Sequence, residues 1–430
     1  MTIPKSLETR DIAVTLIGNV LRARQSFENA YENHISISKM QSRDRAFVRN
    51  LVLTTFRRLG QIDSLINQFL LRPLPDSARD VRDILRIGAC QVLFMNVADH
   101  GSVDTCVKLT RHRGHNAHIK LVNAILRRLT REGLAALEQQ DVERENTPSW
   151  LWRSWSEAYG EEQCRQIAAA HLRGGCLDLS VKGDPQTCAS TLRGQMLPMG
   201  TVRLSYRGQI TKLAGFRQGD WWVQDVAARM VAKLVGDVRG KTVIDLCAAP
   251  GGKTLLFSHE GANVVAVDRS ASRLRRLREN LDRLNLKAEI IEADVGKWQP
   301  ENLADIVFLD APCSATGTAR RHPDVLWTKS EADIENLARV QSRMLSTAAK
   351  MVAPGGILVF ATCSLLPVEG EYHVSRFLEE NPLFRLSPIS ASDVNDFDQI
   401  ITQVGTFRSL PSFSPADRGM DGFFAARFAR

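Results

Sequence analysis

Between residues 242 and 361 five short runs recur: TVIDLC (242–247), NVVAVD (263–268), AEIIE (288–292), DIVFLD (305–310) and ILVFA (357–361). Each is continuous, apolar and rich in Val and Ile, and amphipathic stretches separate them. Such runs are expected of parallel strands buried on both faces, and parallel neighbours need a crossover helix between them. The pattern therefore predicts a doubly wound α/β domain from about residue 216 to 430. Sheets of this kind bind ligands beyond the carboxyl ends of their strands. The polar residues that close the strands are the ones to weigh for chemistry.

The rest of the chain has another rhythm. From residue 8 to about 131 apolar positions recur at helical spacing, as in Ile62, Leu65, Ile66, Phe69 and Leu70, and no segment alternates as a strand would. This predicts an all-α domain over 1–135. Its last helix, HIKLVNAILRRLTREG, keeps Ile119, Val122, Ile125 and Leu126 on one side and Lys120, Arg127, Arg128 and Arg131 on another. Residues 1–131 hold 21 Lys/Arg against 11 Asp/Glu, while the whole chain is +8, so the remainder is near neutral. A basic first third suits a polyanion-binding module, the plainer reading being an Arg-rich helical domain. The acidic, polar stretch 132–147 reads as a linker. A small α+β segment follows at 148–215, with CLDLSVK and GTVRLSY extended and DPQTCASTLRGQM helical.

No apolar run is long enough to span a membrane, and the start of the chain lacks signal-peptide features, so a cytoplasmic location is expected. The eight cysteines stand at 90, 106, 164, 176, 188, 247, 313 and 363 without a C-x-x-C pair. Neither a disulfide framework nor a metal site is expected, and the first five read as small buried hydrophobes.

The first strand of the α/β domain ends in DLCAAPGGKT (245–254). Gly251 and Gly252 allow close backbone approach, yet the pattern is neither G-x-G-x-x-G nor a Walker loop. The second strand closes on Asp268, placed for ribose hydroxyls. Asp294 follows the third, and Asp310 closes the fourth. Singly, each acid reads equally as a helix cap. Together they describe a nucleoside site without a phosphate cradle, which suits S-adenosylmethionine.

DLCAAPGGKT, DAPCSATG and ATCS, in this order, resemble the motifs of the NOL1/NOP2/Sun family of RNA 5-methylcytosine methyltransferases. The first domain is similar to the RNA-binding NusB fold, and VQDVAARM (223–230) and GMDGFFAARF (419–428) also match the family's bacterial 16S rRNA branch. The resemblance covers essentially the whole chain. It implies a NusB-like domain, a small RRM-like middle domain and a Rossmann-like class I methyltransferase domain. It implies S-adenosylmethionine held by Cys247, Ala248, Ala249, Pro250, Gly251, Gly252, Lys253, Asp268, Asp294 and Asp310. The implied substrate is a cytosine in 16S rRNA, position 967 in standard ribosomal RNA numbering. The middle segment departs from the family: LDLSVK stands where the family often reads L-R-V/I-N.

Carbon 5 of cytosine is a poor nucleophile. Addition of a thiolate to C6 breaks the aromaticity and makes C5 an enamine carbon, which turns one difficult step into two easier ones. Cys313 in DAPCS and Cys363 in ATCS end neighbouring strands, and the chemistry alone leaves open which of them attacks. The resemblance implies that Cys363 attacks and that Cys313 helps resolve the adduct. It makes Asp310 the partner of the cytosine N3/N4 edge, in competition with a pure cofactor role. Lys253 reads either as positive potential at the site or as an ordinary first-turn lysine. Arg320, Arg321 and His322, in TARRHPD, are expected to meet RNA at the cleft mouth, against a solvated loop. The target base must leave its stack, which favours a single-stranded or loop cytosine, in naked rRNA or in an assembling subunit. A monomer acting on neither DNA nor membrane is expected. Alternatives are a tRNA or another rRNA cytosine as target, or a catalytically silent NusB-like RNA-binding protein.

Overall fold

The computed structural model describes residues 4–206, 208–414 and 418–430. The chain forms two compact units. One runs to Leu172 and takes in Arg321–Lys329; the other comprises Arg173–Arg320 and Ser330–Arg430.

The first unit is helical. The helices Lys5–Leu21, Ser42–Arg57, Leu59–Phe69, Arg79–Phe94, Asp99–His112 and Ile119–Leu137 close on one core. The last of them buries Val122, Ile125, Leu126 and Leu129 and leaves Lys120, Arg127, Arg128 and Arg131 exposed. The helical period therefore separates an apolar stripe from a basic one, as read from the sequence. Residues 132–147 are not a loose linker. The helix continues to Leu137, and buried Asn146 exchanges hydrogen bonds with Gln61 (3.2 and 2.8 Å). Segment 321–329 packs on the same helices: Phe27 N donates to Asp324 Oδ2 (2.9 Å), and Trp327 Nε1 to the Phe56 carbonyl (3.0 Å). None of the helices described is long and apolar enough to cross a membrane.

The second unit begins with a four-stranded antiparallel sheet. Its strands are β1 (Leu177–Val181), β2 (Gln195–Leu197), β3 (Thr201–Leu204) and β4 (Trp221–Val223), in the order β2-β3-β1-β4. The helix expected across DPQTCASTLRGQM stops at Leu192, where Arg193 turns left-handed and Gln195–Leu197 form β2. Asp178 on β1 lies opposite Arg203 on β3 and pairs with it through two 2.7 Å bonds, both side chains buried.

The larger sheet follows: β5 (Thr242–Leu246), β6 (Asn263–Asp268), β7 (Glu289–Glu292), β8 (Ala304–Asp310), β9 (Val352–Thr362), β10 (Arg385–Leu386), β11 (Phe407–Ser409) and β12 (Phe423–Ala429). β7, β6, β5, β8 and β9 are parallel neighbours in that order, and β12 adds antiparallel to β9. Side chains alternate between two cores. Val243, Ile306, Phe308 and Val359 enter one, and Ile244, Leu246, Val307, Leu309 and Phe360 the other. Continuous apolar runs were the sequence sign of this double burial. The chain leaves β5 to one side for β6 and returns on the other for β8. The strand order thus reverses beside β5, where such sheets open a crevice.

Candidate active site

A cavity of about 880 Å³ opens at the carboxyl ends of the parallel strands. Cys247 after β5, Asp268 at the end of β6, Asp294 after β7, Asp310 closing β8 and Cys363 after β9 all line it, with Cys313 from the β8 loop. Five strand ends thus converge on one space of the size that small-molecule sites occupy.

The first turn is built to bring the chain round sharply. Cys247 sits at φ 61° and Gly251 at φ 111°, and a Cβ on Gly251 would stand 2.3 Å from Leu277 Cδ1. Only glycine suits that position. Of the turn, Cys247 reaches the cavity wall. Ala248 N bonds the Val267 carbonyl and Ala249 N bonds Asp268 Oδ2, both at 3.1 Å, so these amides brace the turn rather than face a ligand. Pro250 is exposed, and Gly252 opens the helix Gly252–His259. Burial, followed by the charges of Asp310, Asp268 and Asp245, pushes the Cys247 thiol well up, so it is a wall and not a nucleophile.

Asp268 is buried, with Oδ1 bound by Ser270 N (2.9 Å), while Asp294 Oδ1 accepts from Gly296 N (2.9 Å). Between them and Asp310 the cavity has apolar walls, Ala293, Val295, Ala311 and Pro312. Arg269, Arg273, Lys297, Arg343 and Arg376 stand on the same lining, so the space offers carboxylates, cations and apolar wall together.

Lys253 is buried on that helix and its Nζ donates to Asp310 Oδ2 at 2.6 Å. Burial alone would push the ammonium down. The charge and hydrogen bond of Asp310, then Asp245 and Cys363, outweigh it and hold the group charged, above the usual lysine value. Lys253 is thus bound to a cavity-lining carboxylate and is not a solvated first-turn lysine.

The pairing of β8 with β9 sets Asp310 opposite Ala361, and Gly317 N donates to the Cys363 carbonyl (3.0 Å). This brings Cys313 and Cys363, fifty residues apart in sequence, to 3.5 Å between sulfurs. The Cys313 thiol is pushed well above its ordinary value by its bond to Cys363, by burial, and by the charges of Cys363 and Glu369. The Cys313 loop is closed from behind: a Cβ on Gly317 would stand 2.0 Å from the Gly422 carbonyl oxygen, and Gly422 N bonds the Gly317 carbonyl (2.9 Å). That close approach is what the GMDG stretch provides.

Arg320 does not face RNA. Its side chain is 1% exposed, and Nη2 donates to Asp225 (2.9 Å) and Asp421 (3.2 Å). Asp225 also caps the helix Val226–Lys233, and its Oδ1 receives Asp421 N (3.0 Å). The arginine joins VQDVAARM to GMDGFFAARF, a task that requires burial, because two buried carboxylates need a cation between them. Arg321 and His322 belong to the segment packed on the helical unit, where the His322 ring is 3.9 Å from Glu28.

Residues 233–429 match the family described as 16S rRNA methyltransferase RsmB/F, and residues 7–131 match the NusB family. Ribosomal RNA small subunit methyltransferase B of Cronobacter sakazakii is 32% identical over 446 residues, and that of Shewanella oneidensis 31% over 442, with 99% of each chain covered. The chain belongs to the ribosomal RNA small subunit methyltransferase B family. Among solved structures, PH0851 matches all of both chains with a TM-score of 0.76 at 22% identity. NSun6 from Pyrococcus horikoshii matches 66% of this chain and 98% of its own at 0.55 and 18%. At these identities the likeness shows a shared fold.

Membership accounts for the motifs, yet the sequence reading passed over several residues of the site. Arg343 and Arg376 line the cavity, and Glu369 and Gln341 lie behind the two cysteines. The visible signs were a glutamate six residues after Cys363 and cations at helical spacing, neither of which reports depth.

Proposed function

We propose that the chain methylates carbon 5 of a cytosine in 16S ribosomal RNA, at position 967, through a covalent adduct on Cys363. It is an S-adenosylmethionine-dependent rRNA methyltransferase, and the cofactor supplies an electrophilic methyl group. Asp268 and Asp294 would hold its nucleoside part, and Asp310 and Cys247 stand toward the reacting end. The observation that carries the cytosine reading is the sulfur pair itself, 3.5 Å apart at the wall of the cofactor cavity.

The Cys363 thiolate adds to C6 and leaves C5 electron-rich. Asp310, fixed by Lys253 at 2.6 Å, faces the base edge, and the buried ammonium stabilises negative charge that develops on the ring. Once C5 carries its methyl group, its hydrogen passes as a proton to a water molecule, the C5–H electron pair restores the C5=C6 double bond, and the C6–S pair returns to Cys363. Cys313, beside that sulfur, assists this release. The exposed row Lys120, Arg127, Arg128 and Arg131 holds RNA phosphates. The helical unit that runs to Leu172 binds RNA, and the unit from Arg173 onward, which holds both sheets, carries out catalysis. The protein works in the cytoplasm as a monomer on a single-stranded or loop cytosine, in naked rRNA or an assembling subunit.

The test uses unmodified 16S rRNA and tritiated S-adenosylmethionine. Cys363→Ala abolishes both methyl transfer and covalent complex, whereas Cys313→Ala accumulates a protein–RNA complex that survives a denaturing gel. The opposite pattern would reverse the two assignments.

A further inference from the structure

Behind the sulfurs lies a fully buried carboxylate. Glu369 Oε1 accepts from Ser314 N and Gln341 Nε2, both at 2.9 Å, and Oε2 accepts from Ser314 Oγ (2.5 Å) and Ser364 Oγ (2.6 Å). Ser314 follows Cys313 and Ser364 follows Cys363, so one side chain touches the residue after each cysteine. The same Gln341 amide nitrogen also donates to the Pro312 carbonyl (2.9 Å), and Gln341 Oε1 meets His373 Nε2 at 3.0 Å. Burial lowers the pKa of His373 to about 4, so the ring is neutral and donates to that oxygen. Cys313 is therefore held on both sides. Its preceding carbonyl is fixed by Gln341, and its following amide and hydroxyl are fixed by Glu369.

Three of the four bonds to Glu369 come from side chains that nothing in simple packing requires to be polar. Among the described residues no cation is bound to this buried carboxylate, so it needs every one of these donors. An apolar core at this place would hold the fold as well, but it would leave the Pro312–Ser314 peptides free to turn.

We propose that Glu369, acting with Gln341, is the positioning residue for Cys313, holding the peptide groups on either side of that cysteine so that its sulfur stays beside Cys363 while the adduct resolves. The inference rests on the reading of Cys313 as the resolving group. Glu369 is fully buried and is not on the cavity wall, so it acts through the loop. The bond to Cys363 and burial, followed by the charges of Cys363 and Glu369, hold the Cys313 thiol above its ordinary value.

The test takes the full-length protein with an unmodified 16S rRNA transcript and tritiated S-adenosylmethionine, and compares wild type, Glu369→Gln, Ser314→Ala, Cys313→Ala and the Glu369→Gln/Cys313→Ala double variant. Glu369→Gln keeps the volume but turns an acceptor into a donor facing donors. It is expected to lower kcat at least tenfold, leave KM for RNA within twofold, and raise the gel-stable complex at least fivefold. The double variant should trap no more complex than Cys313→Ala alone, because both changes act on one group. Ser314→Ala removes one bond, should move the same readouts less, and carries the test if Glu369→Gln does not fold. Release at the wild-type rate with no extra complex in the folded variants overturns the inference, whatever their thermal stability. If Cys313→Ala itself traps nothing, the assignment of the cysteines has failed and this inference falls with it.

Discussion

Replacing Arg320 by Ala separates two accounts of one residue. As an RNA contact it would be a surface cation whose loss leaves the fold alone. As found, its guanidinium lies between the carboxylates of Asp225 and Asp421, with side-chain exposures of 1%, 4% and 0%. Asp225 cannot swing away, since its other oxygen holds Ala227 N at 2.9 Å and Asp421 N at 3.0 Å. The variant therefore leaves two buried carboxylates facing each other. Breaking a buried pair by removing one partner destabilises by about 3–5 kcal/mol. With a urea m-value of about 3 kcal/mol per M, the midpoint of the transition that abolishes S-adenosylmethionine binding falls by roughly 1 to 2 M. The deficit should shrink as pH is lowered, because a proton taken up by one carboxyl relieves the repulsion.

A second arm measures RNA affinity of the folded variant against salt. A phosphate contact on single-stranded RNA contributes about 0.7 to the slope of log K against log salt concentration. We expect that slope to be unchanged. A variant within about 0.5 kcal/mol of wild type, with a slope reduced by about 0.7, would refute the structural account and restore the RNA-contact reading.

Lys253→Met removes the ammonium 2.6 Å from Asp310 and should slow single-turnover methyl transfer by about 10²-fold or more; a change under about threefold would place the charge outside the reaction. His373 has a folded pKa of about 4 against about 6.5 when unfolded, so the unfolded chain binds the extra proton between these values. The share of stability that His373 contributes should be level above pH 6.5 and fall by about 3 kcal/mol as pH drops towards 4, read as the difference between wild type and His373→Gln in paired urea titrations.

What the sequence disclosed follows from periodicity. The five apolar runs became β5 to β9 because burial on both faces leaves no polar position to blur the signal. The same topology carried Cys313 and Cys363 together, since parallel neighbours end on one edge. Depth was not legible. Arg320 sits in an Arg-rich loop that any reading by composition assigns to the surface, and its two partners lie 95 and 101 residues away. Glu369 is one acid among 48 Asp and Glu in the chain, and only the fold shows four donors converging on it. β12 pairs antiparallel with β9, so it stands outside the parallel strand–helix rhythm that exposed its neighbours.

The middle sheet offers a sharper case, because its departure from the family pattern is itself a stability argument. Asp178 and Arg203 lie opposite each other on β1 and β3 with 2.7 Å bonds, and Asp178 Oδ2 also accepts Val226 N at 3.2 Å. The carboxylate thus anchors the arginine and the start of the helix Val226–Lys233. Arg203→Met should destabilise by about 3–5 kcal/mol, since it strands a buried acid. Asp178→Leu should do likewise, and it also orphans Val226 N. The Asp178→Leu/Arg203→Met pair replaces both charges with apolar volume and should recover most of the arginine's share, leaving a deficit of about 1–3 kcal/mol for the unpaired amide. Exchanging the two, Asp178→Arg with Arg203→Asp, should keep a deficit of about 1–3 kcal/mol, because the pair is restored but no acceptor then stands before Val226. If the exchanged protein instead unfolds at the wild-type urea midpoint, the ion pair alone accounts for Asp178, and its bond to the helix start contributes nothing.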